Sequence, residues 1–252
     1  MTNQGNPYLS IVIPAYNEEH NLRAHVLDEI NNYLSKQKYS WEVLIVDDGS
    51  EDKTLKIAKD FSKEHSQFTT LEEPHRGKGG TVIAGMLAAE GDNILFCDMD
   101  QSTPIDQLEK VLPKFNQGYD IVIGSREGRK GAPLVRKFMA YGFAILRLII
   151  LRLPFKDTQC GFKAFKKEAA IKIFGKMKNL LERKNVHGSS LSAGFDVEIL
   201  YLARKMGFKV AEVSVDWHYK EGTKKNPFIE SWIGLKGVVA VRLKSLSGYY
   251  KL

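Results

Sequence analysis

The chain has 252 residues, of which 43% are apolar and 27% charged, as expected of one sizeable α/β domain, and this argues against a second large domain. Its formal net charge of +7 favours an anionic ligand such as lipid headgroups, phosphates or nucleic acid. The alternative is that the charge reflects only a generally basic surface. The two cysteines, Cys97 and Cys160, lack CxxC or zinc-site spacing, so free thiols in a reducing compartment are expected.

The first half of the chain alternates apolar runs with segments of helical spacing. No signal peptide is predicted at its start, because residues 1–8 are polar. Four apolar runs are predicted to be strands buried on both faces of a mostly parallel sheet: residues 9–14, 43–46, 93–97 and 120–124. Helices are predicted at residues 17–34, 52–64, 79–89 and 104–115. This alternation predicts an α/β fold built from βαβ units.

The second half of the chain is less regular. Its predicted elements are strands at residues 162–165 and 209–217, helices at 193–206 and 228–246, and mobile loops at 184–192 and 220–226. A long apolar run at residues 138–155 is interrupted by Arg147 and Arg152, and arginine is costly in the middle of a bilayer. We therefore expect a buried or interfacial helix there, and no membrane span.

Carboxylates follow the predicted strands, at the edge where open α/β sheets bind ligands. Asp98 and Asp100 come directly after the strand at residues 93–97. Two carboxylates in this spacing can bind one hard divalent cation if the backbone turns there, and such a cation bridges diphosphate oxygens of a substrate. The alternative is that these acids cap the helix predicted to begin near Pro104.

Two further loops carry groups suited to a nucleotide. Asp47 and Asp48, followed by a glycine, come after the strand at residues 43–46 and offer acceptors to a base or ribose. An Asp-Gly turn that caps the next helix is the alternative, and the two roles can coexist. The segment at residues 76–80 precedes a helix, where backbone N–H groups and Lys78 can bind a phosphate.

Taken together, the segments SIVIPAYNEE, VLIVDDGSEDKT, RGKGG and CDMDQSTP resemble the family-2 glycosyltransferases with the GT-A fold. The downstream segments DTQCGFKAF and GFDVEILYLARKMGFKVAEVSVDW are similar to the dolichyl-phosphate β-glucosyltransferase branch, and the first of these is the most specific. The resemblance covers about residues 9–249. It implies a Rossmann-like α/β fold with a mixed, mostly parallel sheet flanked by helices. It further implies one catalytic domain over residues 1–252, with a nucleotide-sugar-binding half at about 9–125 and an acceptor-binding half at about 126–252.

The resemblance also implies roles for individual residues. The nucleotide site is expected to be lined by Pro14, Tyr16, Asn17, Glu18 and Asp48, to which the loop arguments above add Asp47 and Lys78. Asp98 is expected to contact the sugar or ribose side, and Asp100 to be the main ligand of a Mg²⁺ or Mn²⁺ ion, with Asp98 as a further ligand. A third protein ligand stays unassigned, because Gln101 does not line up with the glutamine that binds metal in some relatives.

The acceptor half is interpreted from the chemistry of transfer. Inversion at the sugar needs a nucleophile behind the anomeric carbon, and a phosphate monoester needs no general base because it is largely ionised at pH 7. Arg126 and Arg136 are the candidates to bind its phosphate, with two solvent-facing arginines as the alternative. Asp157, which heads the DTQCGFKAF segment, is assigned as catalytic, either orienting the acceptor or acting as a base.

Three further features are assigned to ligands or membrane. Asp196 and Glu198 can hydrogen-bond sugar hydroxyls, and at most one of them is expected to point into the site. Lys224 is expected to add positive charge near the diphosphate, with a solvated basic loop as the alternative. The helix at residues 138–153 is predicted to lie at the bilayer surface with its arginines reaching the headgroups, or else to be a core helix.

The sequence thus predicts an inverting, metal-dependent transferase that moves a hexose, glucose from UDP-glucose by resemblance, to a polyprenyl phosphate. It is expected to lie peripherally on the cytoplasmic face of a membrane, with no transmembrane helix, although relatives carry anchors; a membrane-protein partner and the oligomeric state stay open. The alternatives are a soluble transferase for a hydroxyl acceptor, and a non-catalytic subunit that binds sugar nucleotides or anionic lipids. No nucleic-acid partner is expected, because the basic residues are spread out.

Overall fold

The computed structural model describes residues 5–126, 134–182, 194–218 and 227–251, and it describes the backbone alone for residues 134–141, 181, 182 and 227–231. Within these ranges the chain forms seven strands: β1 Leu9–Ala15, β2 Trp41–Asp47, β3 Phe68–Glu72, β4 Asn93–Phe96, β5 Ile121–Ser125, β6 Lys163–Lys166 and β7 Val210–Ser214. It also forms nine α-helices: α1 Glu19–Arg23, α2 Val26–Leu34, α3 Thr54–Glu64, α4 Gly77–Ala88, α5 Leu108–Asn116, α6 Leu134–Leu151, α7 Lys167–Glu182, α8 Phe195–Lys205 and α9 Pro227–Leu246.

The predicted strands are confirmed, with ends that shift by a few residues. Strand β3 was not predicted, because its sequence FTTLE is largely polar and only Phe68 in it is buried. The helix predicted over residues 17–34 is in fact two helices, since His25 between α1 and α2 has a left-handed backbone with φ of 61°. Helix α7 was also missed. The loops predicted at residues 184–192 and 220–226 lie outside the described residues.

The chain divides into two compact units, and the first comprises Met1–Gln101 with Gly161–Leu191. Its strands lie in the order β3-β2-β1-β4-β6, in which the first four are parallel and β6 runs antiparallel to β4. The prediction of an α/β fold with a mixed, mostly parallel sheet flanked by helices is confirmed.

The core of the first unit is formed by the central strands and the helices packed on them. Ile11 and Ile13 of β1 and Val43 and Ile45 of β2 have no exposed surface, as expected for strands covered on both faces. Helix α4 approaches these strands closely at Gly85, where an added Cβ would lie 2.3 Å from Cγ1 of Val12. The backbone of α4 therefore comes as near the sheet as glycine permits.

The second unit comprises Ser102–Cys160 with Ser192–Leu252. Strands β5 and β7 pair in parallel, α5 packs on both of them, and α9 packs against α6 and α8. The start of α8 approaches α9 where two glycines meet: a Cβ at Gly194 would lie 3.0 Å from Cα of Gly237. In the described part of the chain, no helix has both the length and the apolarity needed to cross a membrane. The single-domain organisation stays a prediction.

Candidate active site

Three loops of the first unit begin at one edge of its sheet, the carboxyl ends of β1, β2 and β4. Strands β1 and β2 end side by side at the paired residues Ala15 and Asp47. Beyond them, the backbone N–H of Asp48 donates to the carbonyl oxygen of Ala15 at 2.8 Å. The N–H of Cys97 donates to the carbonyl oxygen of Val12 at 3.1 Å. The polar residues that follow these strands therefore start from neighbouring positions, as the sequence predicts.

The carboxylates of Asp98 and Asp100 lie in the turn that leaves β4. Both residues are partly exposed, whereas Met99 between them is buried with 2% of its surface accessible. Nζ of Lys78, from the first turn of α4, donates a hydrogen bond to Oδ1 of Asp98. The structure thus brings the predicted metal ligand Asp98 together with the predicted phosphate-binding lysine.

The backbone at Gly161, just before β6, packs directly against the Asp98 carboxylate. A Cβ at this position would lie 2.0 Å from Oδ2 and 2.8 Å from Oδ1 of Asp98. Any larger residue at Gly161 would therefore displace the carboxylate. This glycine belongs to the segment DTQCGFKAF, so part of that segment shapes the acidic site of the first unit.

Gln101 holds the acidic turn in place. Its φ is 49°, and its side-chain amide donates to the carbonyl of Asp98 at 3.0 Å and to Sγ of Cys97 at 3.6 Å. Its Oε1 is buried, and no described group donates to it. Burial raises the pKa of the Cys97 thiol to about 12, so this sulfur is a neutral thiol at neutral pH.

Glu18, at the end of the loop after β1, shares the electrostatic environment of the acidic turn. Burial raises its pKa above the ordinary value; a hydrogen bond from Asn21 opposes this, and the negative charges of Asp100 and Asp98 add to the rise. The region therefore gathers like charges, an arrangement that a bound cation would relieve. Among the described residues, no group of three or more His, Cys, Asp or Glu side chains is arranged to hold a metal.

The two aspartates after β2 have different environments. Asp47 has no exposed surface, and its Oδ2 accepts the N–H groups of Gly49 and Ser50 at 3.0 Å each. Its Oδ2 thus builds the turn, whereas its Oδ1 is buried without a hydrogen-bond partner among the described residues, and a contact of Asp47 with the nucleotide stays a prediction. Asp48 is also buried, and its Oδ1 accepts the N–H of Arg76 at 2.8 Å.

The loop after β1 is attached to the loop after β2 by hydrogen bonds of Asn17. Its N–H donates to Oγ of Ser50 at 3.0 Å, and its Oδ1 accepts the N–H of Glu51 at 2.9 Å. Beside it, Tyr16 is 40% exposed and available to a ligand. Pro14, by contrast, lies within β1 and is partly buried.

His75 is a residue that the sequence reasoning missed. Its ring stacks on that of Tyr16, with 4.4 Å between the centroids, and its Nδ1 lies 3.0 Å from Oδ2 of Asp48. The signal in the sequence is its position directly before the RGKGG loop.

In the second unit, Arg126 and Asp157 form a bidentate ion pair. Nε of Arg126 donates to Oδ2 of Asp157 at 2.6 Å, and Nη2 donates to Oδ1 at 2.9 Å. The side chains are 19% and 8% exposed. Burial alone would lower the pKa of Arg126, but the charge and hydrogen bonds of Asp157 outweigh it and raise that pKa. The guanidinium also lies over the ring of Trp217, 5.8 Å from its centroid.

Asp157 is itself fixed by neighbouring backbone and side-chain groups. Its Oδ1 also accepts the N–H of Gln159 at 3.0 Å, and its own N–H donates to Oε1 of Glu212 at 2.8 Å. Both carboxylate oxygens are therefore engaged. This geometry suits a residue that orients Arg126 better than one that accepts a proton.

The structure separates the two acids of α8. Asp196 is partly buried, and its negative charge contributes to the raised pKa of Arg126. Glu198 accepts hydrogen bonds from Nζ of Lys244 at 2.9 Å and from the hydroxyl of Tyr250, and it is buried. The expectation that at most one of them reaches a ligand agrees with this arrangement, in which Glu198 ties α8 to the C-terminal residues.

Arg147 is placed differently from the sequence interpretation. Only 1% of its surface is exposed, and its Nη2 donates to the backbone carbonyls of Phe155 and Lys156. The expectation that Arg147 extends to lipid headgroups is wrong, because its guanidinium is buried against the backbone that follows α6. Arg152, by contrast, is exposed. The side chain of Arg136 and all of Lys224 lie outside the described residues, so their roles stay predictions.

Carboxylates beyond β4, an aspartate turn beyond β2 and a glycine-rich helix start, all on a mostly parallel sheet, are typical of a nucleotide-binding α/β enzyme. The chain matches the model of Glycosyl transferase family 2 over residues 10–174. It belongs to that family and is a glycosyltransferase. This confirms the family inferred from the sequence segments.

Relatives and solved structures extend the likeness over nearly the whole chain. Dolichyl-phosphate beta-glucosyltransferase of Dictyostelium discoideum is 36% identical, with 98% of this chain and 77% of that protein covered. Mannosyl-3-phosphoglycerate synthase from Rubrobacter xylanophilus has a TM-score of 0.63 at 18% identity, covering 98% and 76%. Glucosyl-3-phosphoglycerate synthase from Mycobacterium tuberculosis, in complex with Mn²⁺, UDP and glucosyl-3-phosphoglycerate, has a TM-score of 0.57 at 19% identity, covering 95% and 79%. The two structures support the fold.

Proposed function

We propose that this glycosyltransferase moves glucose from UDP-glucose to a polyprenyl phosphate, with inversion at the sugar. The observation that carries the proposal is the 36% identity to a dolichyl-phosphate beta-glucosyltransferase over 98% of the chain. That similarity extends beyond residues 10–174, the part matched by the general family model. It therefore includes segments of the second unit, where the acceptor is proposed to bind.

The donor is assigned to the first unit. Asp100 and Asp98 fit a Mg²⁺ or Mn²⁺ ion, because both are partly exposed in one turn and their charges act on Glu18. When bound, such an ion supplies Lewis-acid stabilisation of the charge that develops on the departing diphosphate. Lys78 lies at the start of α4 beside Asp98 and adds a cation for the diphosphate. Tyr16, Asn17 and Asp48 hold the nucleoside end of the site.

The acceptor phosphate is assigned to Arg126. Its Nε and one Nη2 hydrogen are used by Asp157, which leaves the N–H groups of Nη1 directed elsewhere on the rigid guanidinium plane. Because a phosphate monoester is already a largely ionised nucleophile, no base is required of Asp157. Asp157 therefore acts by fixing Arg126. Arg136, Asp196 and Lys224 remain proposed contributors to phosphate and sugar binding.

The outer surface of α6 and α9 is proposed to rest on the membrane that holds the lipid acceptor. Its exposed apolar residues on α6 are Ile145, Leu146, Leu148 and Ile149, and those on α9 are Trp232, Ile233, Val239, Leu243 and Leu246. Neither residues 142–151 nor residues 232–246 include an Asp or Glu, whereas Lys236 and Arg242 are exposed. Nζ of Lys236 lies over the ring of Trp232, 5.5 Å from its centroid. An apolar surface on which the exposed charged residues within these two ranges are cationic matches an anionic lipid surface.

The activity is tested by incubating the purified chain with Mn²⁺ or Mg²⁺, a polyprenyl phosphate in detergent, and UDP-glucose, UDP-galactose, UDP-N-acetylglucosamine or GDP-mannose. We expect mass spectrometry to find the lipid heavier by one hexose with UDP-glucose above all others. Transfer to a hydroxyl acceptor without any lipid product would favour the soluble transferase. No transfer with any pair, together with intact nucleotide binding, would favour a binding subunit.

A further inference from the structure

Tyr16, His75 and Asp48 form one cluster in the first unit beside the ends of β1 and β2. The rings of Tyr16 and His75 stack with an interplanar angle of 30° and 4.4 Å between centroids. Nδ1 of His75 lies 3.0 Å from Oδ2 and 3.0 Å from the backbone carbonyl oxygen of Asp48. Tyr16 has 40% of its residue surface exposed. The His75 side chain is also 40% exposed, whereas the Asp48 side chain is 4% exposed. The two rings face solvent, and the carboxylate lies behind them.

The contacts of Nδ1 determine which nitrogen of His75 carries the proton. Both neighbours of Nδ1 are oxygen acceptors of Asp48, so Nδ1 must be the donor. In the neutral ring this leaves Nε2 with a free lone pair. Among the described residues Nε2 has no hydrogen-bond partner. The cluster therefore presents an aromatic ring and one acceptor atom to a ligand.

The backbone around the cluster makes His75 a fixed rather than a mobile side chain. Gly49 has φ of 71°, and a Cβ there would lie 3.2 Å from the backbone nitrogen of His75. The next residue along, Arg76, donates its N–H to Oδ1 of Asp48 at 2.8 Å. The loop that carries His75 thus packs against Gly49 and is hydrogen-bonded to Asp48 in the turn after β2. A side chain held this way can contribute to binding without a large ordering cost.

We propose that His75 contacts the nucleoside of the sugar-nucleotide donor, with Asp48 as the positioning residue behind it and Tyr16 as the stacking surface. A nucleobase can stack on this aromatic pair, because aromatic rings stack on every base. The free Nε2 accepts a hydrogen bond from a ribose hydroxyl or a base N–H. This inference rests on the proposed use of a nucleotide sugar. It adds a contact that the sequence does not predict, since from the sequence Asp47 and Asp48 are expected to offer acceptors to the base or ribose.

The test measures binding of UDP and of inorganic diphosphate, both with saturating Mn²⁺, by calorimetry on the full chain. We expect His75→Ala to weaken UDP binding about tenfold while diphosphate binding changes less than about twofold, because only the nucleoside contact is lost. His75→Phe, which keeps the ring but lacks both nitrogens, should lose about as much as His75→Ala. His75→Gln retains an amide oxygen near the position of Nε2 and should restore most of the affinity.

A matched control is His65→Ala, because His65 also contacts an aromatic ring, that of Phe61 with 4.2 Å between the centroids, but lies between α3 and the amino end of β3, not at the carboxyl ends of the strands. It should bind UDP as the wild type does. In turnover, His75→Ala should raise the KM for UDP-glucose about tenfold and leave kcat and the acceptor KM within about twofold.

The outcomes separate this inference from the proposed function. Unchanged UDP affinity in His75→Ala, or an equal loss for UDP and diphosphate, would overturn the role of His75 while transfer by the wild type stands. A wild type that binds no nucleotide and transfers no sugar would overturn both. Because the His75 side chain is partly exposed, melting curves of the three variants should match the wild type and exclude misfolding as the cause.

Discussion

The carboxylates of the first unit and the Arg126–Asp157 pair of the second unit differ in how far their charges are exposed and how they are paired. In the first unit, Asp98 and Asp100 are partly exposed and their negative charges act together on Glu18, with the ammonium of Lys78 beside Asp98 supplying one positive charge. In the second unit, a carboxylate and a guanidinium are buried against each other, with side chains 8% and 19% exposed. An excess of like charge needs a cation or a cationic ligand to balance it, whereas a closed ion pair mainly fixes geometry. The first region is therefore suited to bind, and the second to orient.

The largest expected effect is on the acidic turn. Asp100→Ala should lower kcat at saturating substrates by at least about 1,000-fold, because the main proposed metal ligand is lost, equal to about 4 kcal/mol of transition-state stabilisation. The measurement is lipid-linked hexose formed per minute across a Mn²⁺ series. Asp92→Ala, an exposed aspartate just before β4, is the control and should keep full activity. Normal transfer by Asp100→Ala would contradict the metal assignment.

The next effect concerns the apolar surface of the second unit. Ile149 and Leu243 are 70% and 61% exposed, and replacing both by Asp should lower partition into anionic vesicles about 10–100-fold or more, since burying one such side chain is worth about 1.5–3 kcal/mol. Co-sedimentation with vesicles measures this. Ile171→Asp, at a 50% exposed position on α7 of the first unit, is the matched control and should sediment as the wild type does. Equal losses in both variants would contradict the assignment of the α6 and α9 surface.

The next effect tests whether Asp157 orients Arg126 or accepts a proton. Asp157→Asn should raise the KM for the polyprenyl phosphate about tenfold and change kcat less than about threefold, because Arg126 loses its anchor while no proton acceptor is needed. Asp216→Asn breaks an exposed pair with Lys110 in the same unit and should have little effect. A large fall in kcat together with loss of the acid limb of the pH–rate profile would instead identify Asp157 as the base.

The smallest effect tests the like-charge environment of Glu18. Because burial and the nearby acids raise its pKa above 4.5, ionising Glu18 costs more in the folded chain than in the unfolded one. Its stabilising protonated form is lost as the pH rises through the folded pKa. Glu18→Gln mimics that form, so its Tm should exceed that of the wild type by about 1–2 °C at pH 7 and match it below pH 4.5.

Thermal melts from pH 4 to pH 8, with and without Mn²⁺, measure this difference. Added Mn²⁺ should reduce it, because a cation at Asp98 and Asp100 offsets the repulsion that Glu18 experiences. The control Glu29→Gln, at an exposed position on α2, should show no pH-dependent gain. A gain that is equal at pH 4 and pH 7 would contradict the electrostatic cause.

Local pattern in the sequence determined much of this protein. Continuous apolar runs predict buried parallel strands because strands covered on both faces have no reason to alternate, and residues that follow such strands must lie at one edge of the sheet. That reasoning placed Asp98 and Asp48 at this edge, and it failed for β3, whose polar residues suit an edge strand. The resemblance of several short segments then identified the family.

Other properties depend on contacts between residues far apart in the chain, which no local pattern encodes. The partnership of Arg126 with Asp157 spans 31 positions, and the contact of Gly161 with Asp98 spans 63. From the sequence, Asp47 and Asp48 have the same expected role. In the fold, Oδ2 of Asp47 accepts backbone N–H groups of its own turn, whereas the Asp48 carboxylate lies behind the ring of His75. The same holds for Arg147, which the interfacial interpretation of its helix directed to lipid headgroups and which packing buries. The sequence therefore determined which chemical groups are present and along which edge, and the tertiary structure decided which of them are paired, buried or presented to a ligand, because burial and hydrogen bonding are set by neighbours in space.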